Sequence, residues 1–526
     1  MAIRETVPTN PETLKRPRFS RRSAVKDSRM NLIVWILLGL QFIGLLIYSL
    51  FQYSRFSLGI DFAIYNQALT QIAHGRLNPT LTIEGYPFLR SHLELIMWPL
   101  SLLYFVFRTP FVLLVAQDAS LVGTGVVAYS WIARLVESRR LPKRTATLVL
   151  SASLLLILVN PLVYYTAALD FHLEATATFF AVLASYQIWS AKYRAASVSI
   201  AFCLLCGDIG GLYLIGVGVS ALLASKSTRR IGLTVLLIGL AWTGTITAIG
   251  ANKGSLTDQY AYLAGRRILP AGFAGLGALL SGIVTHPNRP IHVIRDRLGS
   301  IGGYLATGGF VGAITPWGFG VPAAVLATSS LMGTTLFIRG EPFQQFAVFP
   351  FILFGTASMF TVLLDGASLA ATPRMRDRGR GLVSVVLAVA VVGAALFFSE
   401  RRLPNALKTN ATESYPPSRK ARTLARILNE IPETAQVISS EPVMGRFGGR
   451  RYVYAFNSTS NKIPINTEQV VLVMDTVHAL SVTTAEQEAA ATFVTTVFRA
   501  RTLAKENEVW ILEWSAKALP SSVMLP

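Results

Sequence analysis

Five carboxylates and two histidines stand at the ends of apolar runs, where a membrane chain seldom keeps charge. Asp61 lies in "SRFSLGIDFAIYNQ", after the first run; His92 and Glu94 open the next, in "RSHLELIMWPL"; Asp170, His172 and Glu174 fall together in "ALDFHLEATATFF"; and Asp208 sits beside glycines in "CGDIGG". A charge within the hydrocarbon costs about 3 kcal/mol on insertion scales, so acids that recur at span ends mark a site where they converge. Such groups can act as a general base, accept hydrogen bonds from a polar substrate, or supply oxygen ligands to a divalent cation. His92 and Glu94 are spaced so that a metal or a pyrophosphate group could bridge them. Plainer roles are open as well. Asp170 can cap a helix whose first turn holds Glu174, four residues on and sharing its face, while His172 points elsewhere. Asp208 can cap the next span, and its neighbouring glycines let another group approach the backbone closely.

The elements that must position these residues are transmembrane helices. Of 526 residues, 52% are hydrophobic and 14% charged, and the apolar runs recur through residue 399, the pattern of a polytopic membrane protein rather than a soluble domain. Residues 31–51 are long enough to span and lead into further runs, unlike a cleaved signal peptide. The net charge of +20 is clustered between runs, so it sets orientation and does not point to nucleic acid. The positive-inside rule puts the basic tail 1–30 and the segments 134–144, 191–194, 225–230, 289–297 and 374–380 in the cytoplasm. The acids, with the loop around Asp258 and "RGEPFQQ" (339–345), then collect on the opposite face.

About 11 spans satisfy this alternation, within a range of 10–13. The run 195–225 crosses twice with its turn at Cys206–Gly211, so both crossings are short. The runs 93–133 and 300–338 could each cross twice, but parity allows each one net crossing, so part of each is re-entrant. If both crossed twice, the total would be about 13 and the basic loops between them would flip outward. The domains are therefore the tail 1–30, a membrane domain 31–400 with a first external loop 52–92, and a soluble domain 401–526. In the last, "RKARTLARILNEI" and "TTAEQEAAATFVTTVFRA" read as helices, and "AQVISS", "RYVYAF", "QVVLVMD" and "EVWILEW" as strands. An odd number of spans places this α/β domain outside.

Other polar residues have ordinary explanations. Asp118 and Gln117 inside a span suggest hydrogen bonds between helices. Cys203 and Cys206 read as core packing, "SIGGYLATGGF" as close helix packing, and "NAT" at 410 and "NST" at 457 as chance sequon matches. Gln344, Gln345 and Glu341 could hydrogen-bond a polar ligand or lie at the interface.

The chain resembles a bacterial family of predicted membrane proteins, domain of unknown function 2079. "LGIDFAIYNQALTQIAHG", "SHLELIMWPLSLLY", "ALDFHLEATA", "CGDIGGLYLIGVG", "EPFQQFAVFPFILF" and "LNEIPETAQVISSEPVMGRFGGRRYVYAF" carry the likeness, over roughly residues 31–515. It departs from the family pattern at Gly207, where a charged residue often stands, and at Gln344 and Gln345, where a His-Tyr pair is common. The layout is similar to that of the C-type (GT-C) glycosyltransferases, polytopic enzymes with an acid in the first external loop and a polyprenyl-phosphate sugar donor. That resemblance implies sugar transfer at the outer face of a bacterial plasma membrane to an envelope glycan or protein acceptor, with Asp61 as general base. It implies that Glu94, Asp170 and Asp208 orient the acceptor or hold a divalent cation, and that Arg55, Arg76 or Arg90 binds the donor phosphate. His172, Glu174, His92 and Gln345 would line the substrate. Partial desolvation at the membrane edge would raise the base toward useful pKa values. A transporter or lipid flippase would instead use buried acids at mid-span, and a non-enzymatic envelope protein would use the external domain as its binding face.

Overall fold

The computed structural model describes residues 28–91, 93–139, 141–249, 258–270, 272–333, 344–366, 418–456, 462–477, 482–516 and 521–525, with a few isolated positions between 385 and 393. His92, Glu341, the basic segment 374–380 and both sequons lie outside the described residues, as does nearly all of the basic tail.

Helix α1 (Ser28–Arg55) stops where Phe56 takes a left-handed φ of 56°, and α2 (Ile60–Ala73) folds back across its end. A short hairpin, β1 (Thr80–Leu81) with β2 (Tyr86–Pro87), and the single turn α3 (Phe88–Ser91) lead to α4 (Met97–Phe107). There follow α5 (Phe111–Ser138), α6 (Lys143–Leu158), α7 (Pro161–Ala168), α8 (Glu174–Trp189), α9 (Tyr193–Leu205), α10 (Asp208–Ala224) and α11 (Arg229–Ile249). Among the described residues, four stretches are long and apolar enough to cross a membrane: Leu32–Arg55, Phe111–Ser138, Lys143–Ala168 and Arg229–Ile249. The third is broken at Asn160, whose Oδ1 accepts the Leu162 N–H at 3.0 Å, with Pro161 in the first helical position.

Interior polar side chains tie these helices together at one end. Ser49 Oγ donates to Asp118 Oδ2 at 2.8 Å, and Gln52 Nε2 to the Ala168 carbonyl at 2.7 Å. The turns joining α5 to α6, α8 to α9 and α10 to α11 lie at the other end. The first may be called the acid end, because Asp61, Glu94, Asp170, Glu174 and Asp208 all stand there.

Helix α12 (Phe273–Thr285) packs on a 3-10 turn, Asp258–Ala264. It is followed by α13 (Asn288–Ala306), a 3-10 turn Val311–Ile314, α14 (Pro316–Ser330) and α15 (Val348–Gly366). Helix α14 runs antiparallel to α10, with Gly320 against Gly216 and Ser220, and Tyr260, whose neighbour is Asp208, donating to the Thr328 carbonyl at 3.1 Å. The last turn of α14 is therefore at the acid end. Arg297 of α13 reaches that same turn, donating to the Ser330 and Met332 carbonyls at 2.8 and 2.7 Å, and Arg289 donates to the Leu263 carbonyl at 3.3 Å.

This corrects the assignment of 289–297 to the face opposite the acids. Helices α13 and α14 form a hairpin that enters and leaves at the acid end. At its tip, the Thr307 carbonyl accepts from Asn160 Nδ2 at 3.2 Å and the Gly308 carbonyl from Thr356 Oγ1 at 2.8 Å. Bonds of this kind let non-helical backbone exist within a bundle. The positive-inside rule fails here because Arg289 and Arg297 are held by backbone carbonyls of neighbouring turns, a structural role that a count of charges does not separate from orientation.

The soluble region holds α16 (Ser418–Glu430), β3 (Gln436–Ser439), β4 (Val453–Ala455), β5 (Lys462–Pro464), β6 (Gln469–Asp475), α17 (Thr484–Val497), β7 (Arg501–Glu506), β8 (Val509–Ser515) and β9 (Ser522–Met524). One sheet has the order β4-β3-β6-β8-β7, parallel among the first three and antiparallel beyond, and β5 pairs with β9. A buried ion pair, Lys420 Nζ to Asp475 Oδ2 at 2.5 Å, joins α16 to the end of β6. Phe56, just past α1, is buried in this domain's core with Leu424, Ile427 and Phe447. The domain is thereby seated on the acid end.

Candidate functional site

The site is built around the N-terminus of α2. A helix start exposes unpaired N–H groups, and here a side chain 111 residues away takes them up. Asp170 Oδ1 accepts the Gly59 N–H at 2.8 Å, and Oδ2 accepts that of Phe62 at 3.5 Å. Burial pushes the Asp170 carboxyl up, and the backbone N–H groups of Gly59, Phe62 and Asp61 oppose that shift. A Cβ at Gly59 would stand 3.0 Å from Asp170 Oδ2, so a glycine fits there. The loop carrying Asp170 is fixed by Gln117, whose Oε1 accepts the His172 N–H at 2.6 Å and whose Nε2 donates to the Thr166 and Asp170 carbonyls at 3.3 and 3.4 Å.

Two sequence expectations change. Asp170 caps α2 rather than a helix of its own segment, and with its lone pairs so engaged it positions the site instead of reacting. Asp61 lies in the first turn of that helix rather than in a free loop, and its side chain is exposed. An incoming substrate can reach it there.

One turn further on stands Tyr65, which no sequence pattern marks out. Its hydroxyl donates to Glu94 Oε1 at 3.0 Å, and the two residues are only 8% and 7% exposed. Burial pushes the Tyr65 phenol well up, and the charges of Glu94, Glu174 and, more weakly, Asp61 push it further. The charges of three carboxylates thus reach one phenol. The ring stands edge-on to Phe171, centroids 5.0 Å apart. The segment bearing Glu94 is fastened to the end of α9, with the Ile96 N–H donating to the Leu205 carbonyl at 2.8 Å. Gly207, at φ 81°, leaves room for the Glu94 side chain, since a Cβ there would lie 2.9 Å from Glu94 Cγ. Asp208 follows it. Tyr260 is pushed up to about 12, first by burial and then by Tyr262 and Asp208, so Asp208 lies close to Tyr260. His172, in the loop ahead of α8, is pushed down to about 3 by burial, so its ring is neutral near pH 7 and brings no cation to a phosphate.

The soluble domain holds the other side of α2. The Gly445 N–H donates to the Leu58 carbonyl at 3.0 Å, Asn66 Nδ2 to the Gly445 carbonyl at 3.0 Å, and Gln67 Nε2 to the Arg450 carbonyl at 3.1 Å. Thr82 Oγ1 donates to the Val453 carbonyl at 2.7 Å and accepts its N–H at 2.9 Å. A model of the predicted membrane protein family DUF2079 matches residues 48–509, from the end of α1 into β8.

The chain belongs to this family.

No curated protein matches the sequence of this DUF2079 chain. Among solved structures it is similar to ArnT from Cupriavidus metallidurans bound to undecaprenyl phosphate, at 13% identity over 91% of this chain and 97% of that one, with a TM-score of 0.47. It is also similar to the same protein in the apo state, at 13% identity over 92% and 98%, with a TM-score of 0.46. Family and apolar helices together make it a multi-pass membrane protein.

The remaining expected site residues are spread more widely. Arg55 stacks on Phe51 of its own helix, 3.6 Å from the ring centroid, and Arg90 lies 5.8 Å over Tyr86. Arg76 Nη1 donates to Gln71 Oε1 at 2.9 Å, at the far end of α2 from Asp61. Gln345, just ahead of α15, is wholly buried, and its Oε1 has no hydrogen-bond partner among the described residues. Among those residues no three His, Cys, Asp or Glu side chains form a metal cluster. Cys203 and Cys206 are buried free thiols. Gln117 and Asp118 do join helices, as their interior position suggested.

Proposed function

We propose that this protein transfers a sugar from a polyprenyl-phosphate donor to an acceptor hydroxyl at the acid end of the bundle, on the outer face of a bacterial plasma membrane. The observation that carries this reading is the juxtaposition of an exposed Asp61 with a buried cluster of acids. Asp61 is held in the first turn of α2 by Asp170, and the Tyr65–Glu94 pair and Glu174 stand one turn away. In the reaction, the bond from the anomeric carbon to the phosphate oxygen breaks and a bond to the acceptor oxygen forms. The acceptor proton goes to Asp61, and polyprenyl phosphate leaves. A positioned base of this kind contributes about 10²–10⁴-fold to rate. In this reading the half-buried Glu174 accepts hydrogen bonds from sugar or acceptor hydroxyls, and Glu94, buried and bonded to the Tyr65 hydroxyl, backs it with negative charge. Asp208, beyond Gly207, borders the same face.

The reading is tested by purifying the protein with its native lipid and extracting what remains bound. Mass spectrometry should find a glycosylated polyprenyl phosphate. Recovery of bulk phospholipid alone, with no transfer from any added polyprenyl-phosphate sugar, would overturn it.

A further inference from the structure

Two arginines on one loop of the soluble domain are treated in opposite ways. Arg450 is buried, and its guanidinium donates to the carbonyls of Pro432, Ile431 and Leu428. Those are structural bonds. Arg446, one turn earlier and half-buried, makes no side-chain hydrogen bond and no ion pair among the described residues, and its Nε is buried without a partner. Its guanidinium lies over the rings of Phe56 and Tyr53, 4.3 and 4.8 Å from their centroids. A guanidinium carries five N–H donors and stays charged, so one held in this way is a preformed receptor for an anion.

Its place in the fold says which anion. Tyr53 belongs to the last turn of α1, whose neighbouring residues Leu50 and Phe51 are exposed apolar surface. Arg446 therefore stands where the apolar wall of the bundle meets the soluble domain. It is also beside the acids. The preceding Gly445 is bonded to Leu58, three residues before Asp61, and the Tyr53 ring packs against Phe62, the residue after Asp61, with centroids 6.2 Å apart. The rings fix the plane of the guanidinium and leave its edge for a planar, two-point contact with phosphate oxygens.

We infer that Arg446, supplied by the soluble domain, binds the phosphate of a lipid-linked phosphate at the mouth of the Asp61 site. This rests on the reading of the site as one for a polyprenyl-phosphate donor, and it makes the soluble domain part of that site. Arg55 and Arg90, singled out from the sequence for this task, are stacked on other rings.

The test uses the full chain in phosphatidylcholine nanodiscs and measures binding of a polyprenyl monophosphate against the uncharged polyprenol of equal length. Wild type should prefer the phosphate. Arg446→Gln should lose about tenfold in affinity for the phosphate and none for the alcohol, with Arg446→Lys in between and the melting temperature of the three proteins the same. Equal affinity of wild type and Arg446→Gln for the phosphate would overturn the assignment and leave the donor reading standing. Absence of any phosphate preference in wild type would overturn both. Competition by phosphatidylglycerol at equal concentration would mean a site for bulk anionic lipid, and would overturn the assignment too. If Arg446→Gln melts lower, Phe56→Leu separates the roles: it removes one ring contact but keeps the cation, and must retain phosphate preference.

Discussion

At the scale of single residues, Asp170 is taken up by the start of α2 while the side chain of Asp61 lies exposed at the surface. Asp170→Ala leaves the Gly59 and Phe62 N–H groups without their acceptor, at a cost of about 1–2 kcal/mol. Sugar transfer should fall with it, because the turn carrying Asp61 loses its anchor. Unfolding and transfer measured on the same preparation check both, and unchanged values would remove the capping role. His172 gives a signed dependence on pH. Its folded value lies at about 3, against an ordinary 6.5. Between those values the unfolded chain binds a proton that the folded chain refuses, so stability falls as pH falls through the window, by about 1.4 kcal/mol per pH unit for one proton. His172→Gln should lose less stability than wild type between pH 6.5 and 4.5; parallel curves would contradict the buried, neutral ring. The acids themselves were legible in the sequence as polar residues at span ends. That Asp170 serves α2 was not, because the two segments are 111 residues apart and no local pattern connects them.

At the scale of elements, the critical contact is the one between α2 and the turn Gly445–Phe447 with Gly448. A Cβ at Gly448 would lie 2.5 Å from the Ala63 carbonyl oxygen and 2.7 Å from its Cα, both backbone atoms with no room to move. Gly448→Ala should therefore loosen the domain from α2. Hydrogen exchange of the α2 amides should speed about tenfold, with the sheet β3-β6-β8 keeping its protection. Uniform loss of protection would instead indicate global unfolding. The strands β3, β4, β6 and β8 fall on segments whose alternation or apolar runs mark them. Strand β7 does not: "RTLAKE" is an edge strand whose outward charges mask the pattern. Tyr65 is inconspicuous for a related reason. It looks like one more aromatic in a helix buried on all sides from Phe62 to Ile72, and only the tertiary approach of Glu94 gives it a role.

At the scale of the whole molecule, the α13–α14 hairpin decides how many times the chain crosses and on which side its arginines lie. A count of charges assigns 289–297 to the side opposite the acids, while packing puts it with them. His292→Cys and Lys226→Cys, both exposed positions, should label from opposite sides with a membrane-impermeant maleimide. His292→Cys should react on the side that exposes the soluble domain, and labelling of both from one side would reject the hairpin. The class of the protein and the gathering of acids at one face followed from composition and run order, whereas the re-entrant hairpin depends on Asn160 and Thr356 bonding its tip, which a charge rule cannot see. The central claim is that this face catalyses sugar transfer with Asp61 as its base. The most direct test is single-turnover transfer from a labelled polyprenyl-phosphate sugar in nanodiscs, comparing wild type with Asp61→Asn under saturating donor. The account predicts a fall of about 10²-fold or more with donor binding retained. Equal rates for the two proteins would contradict it.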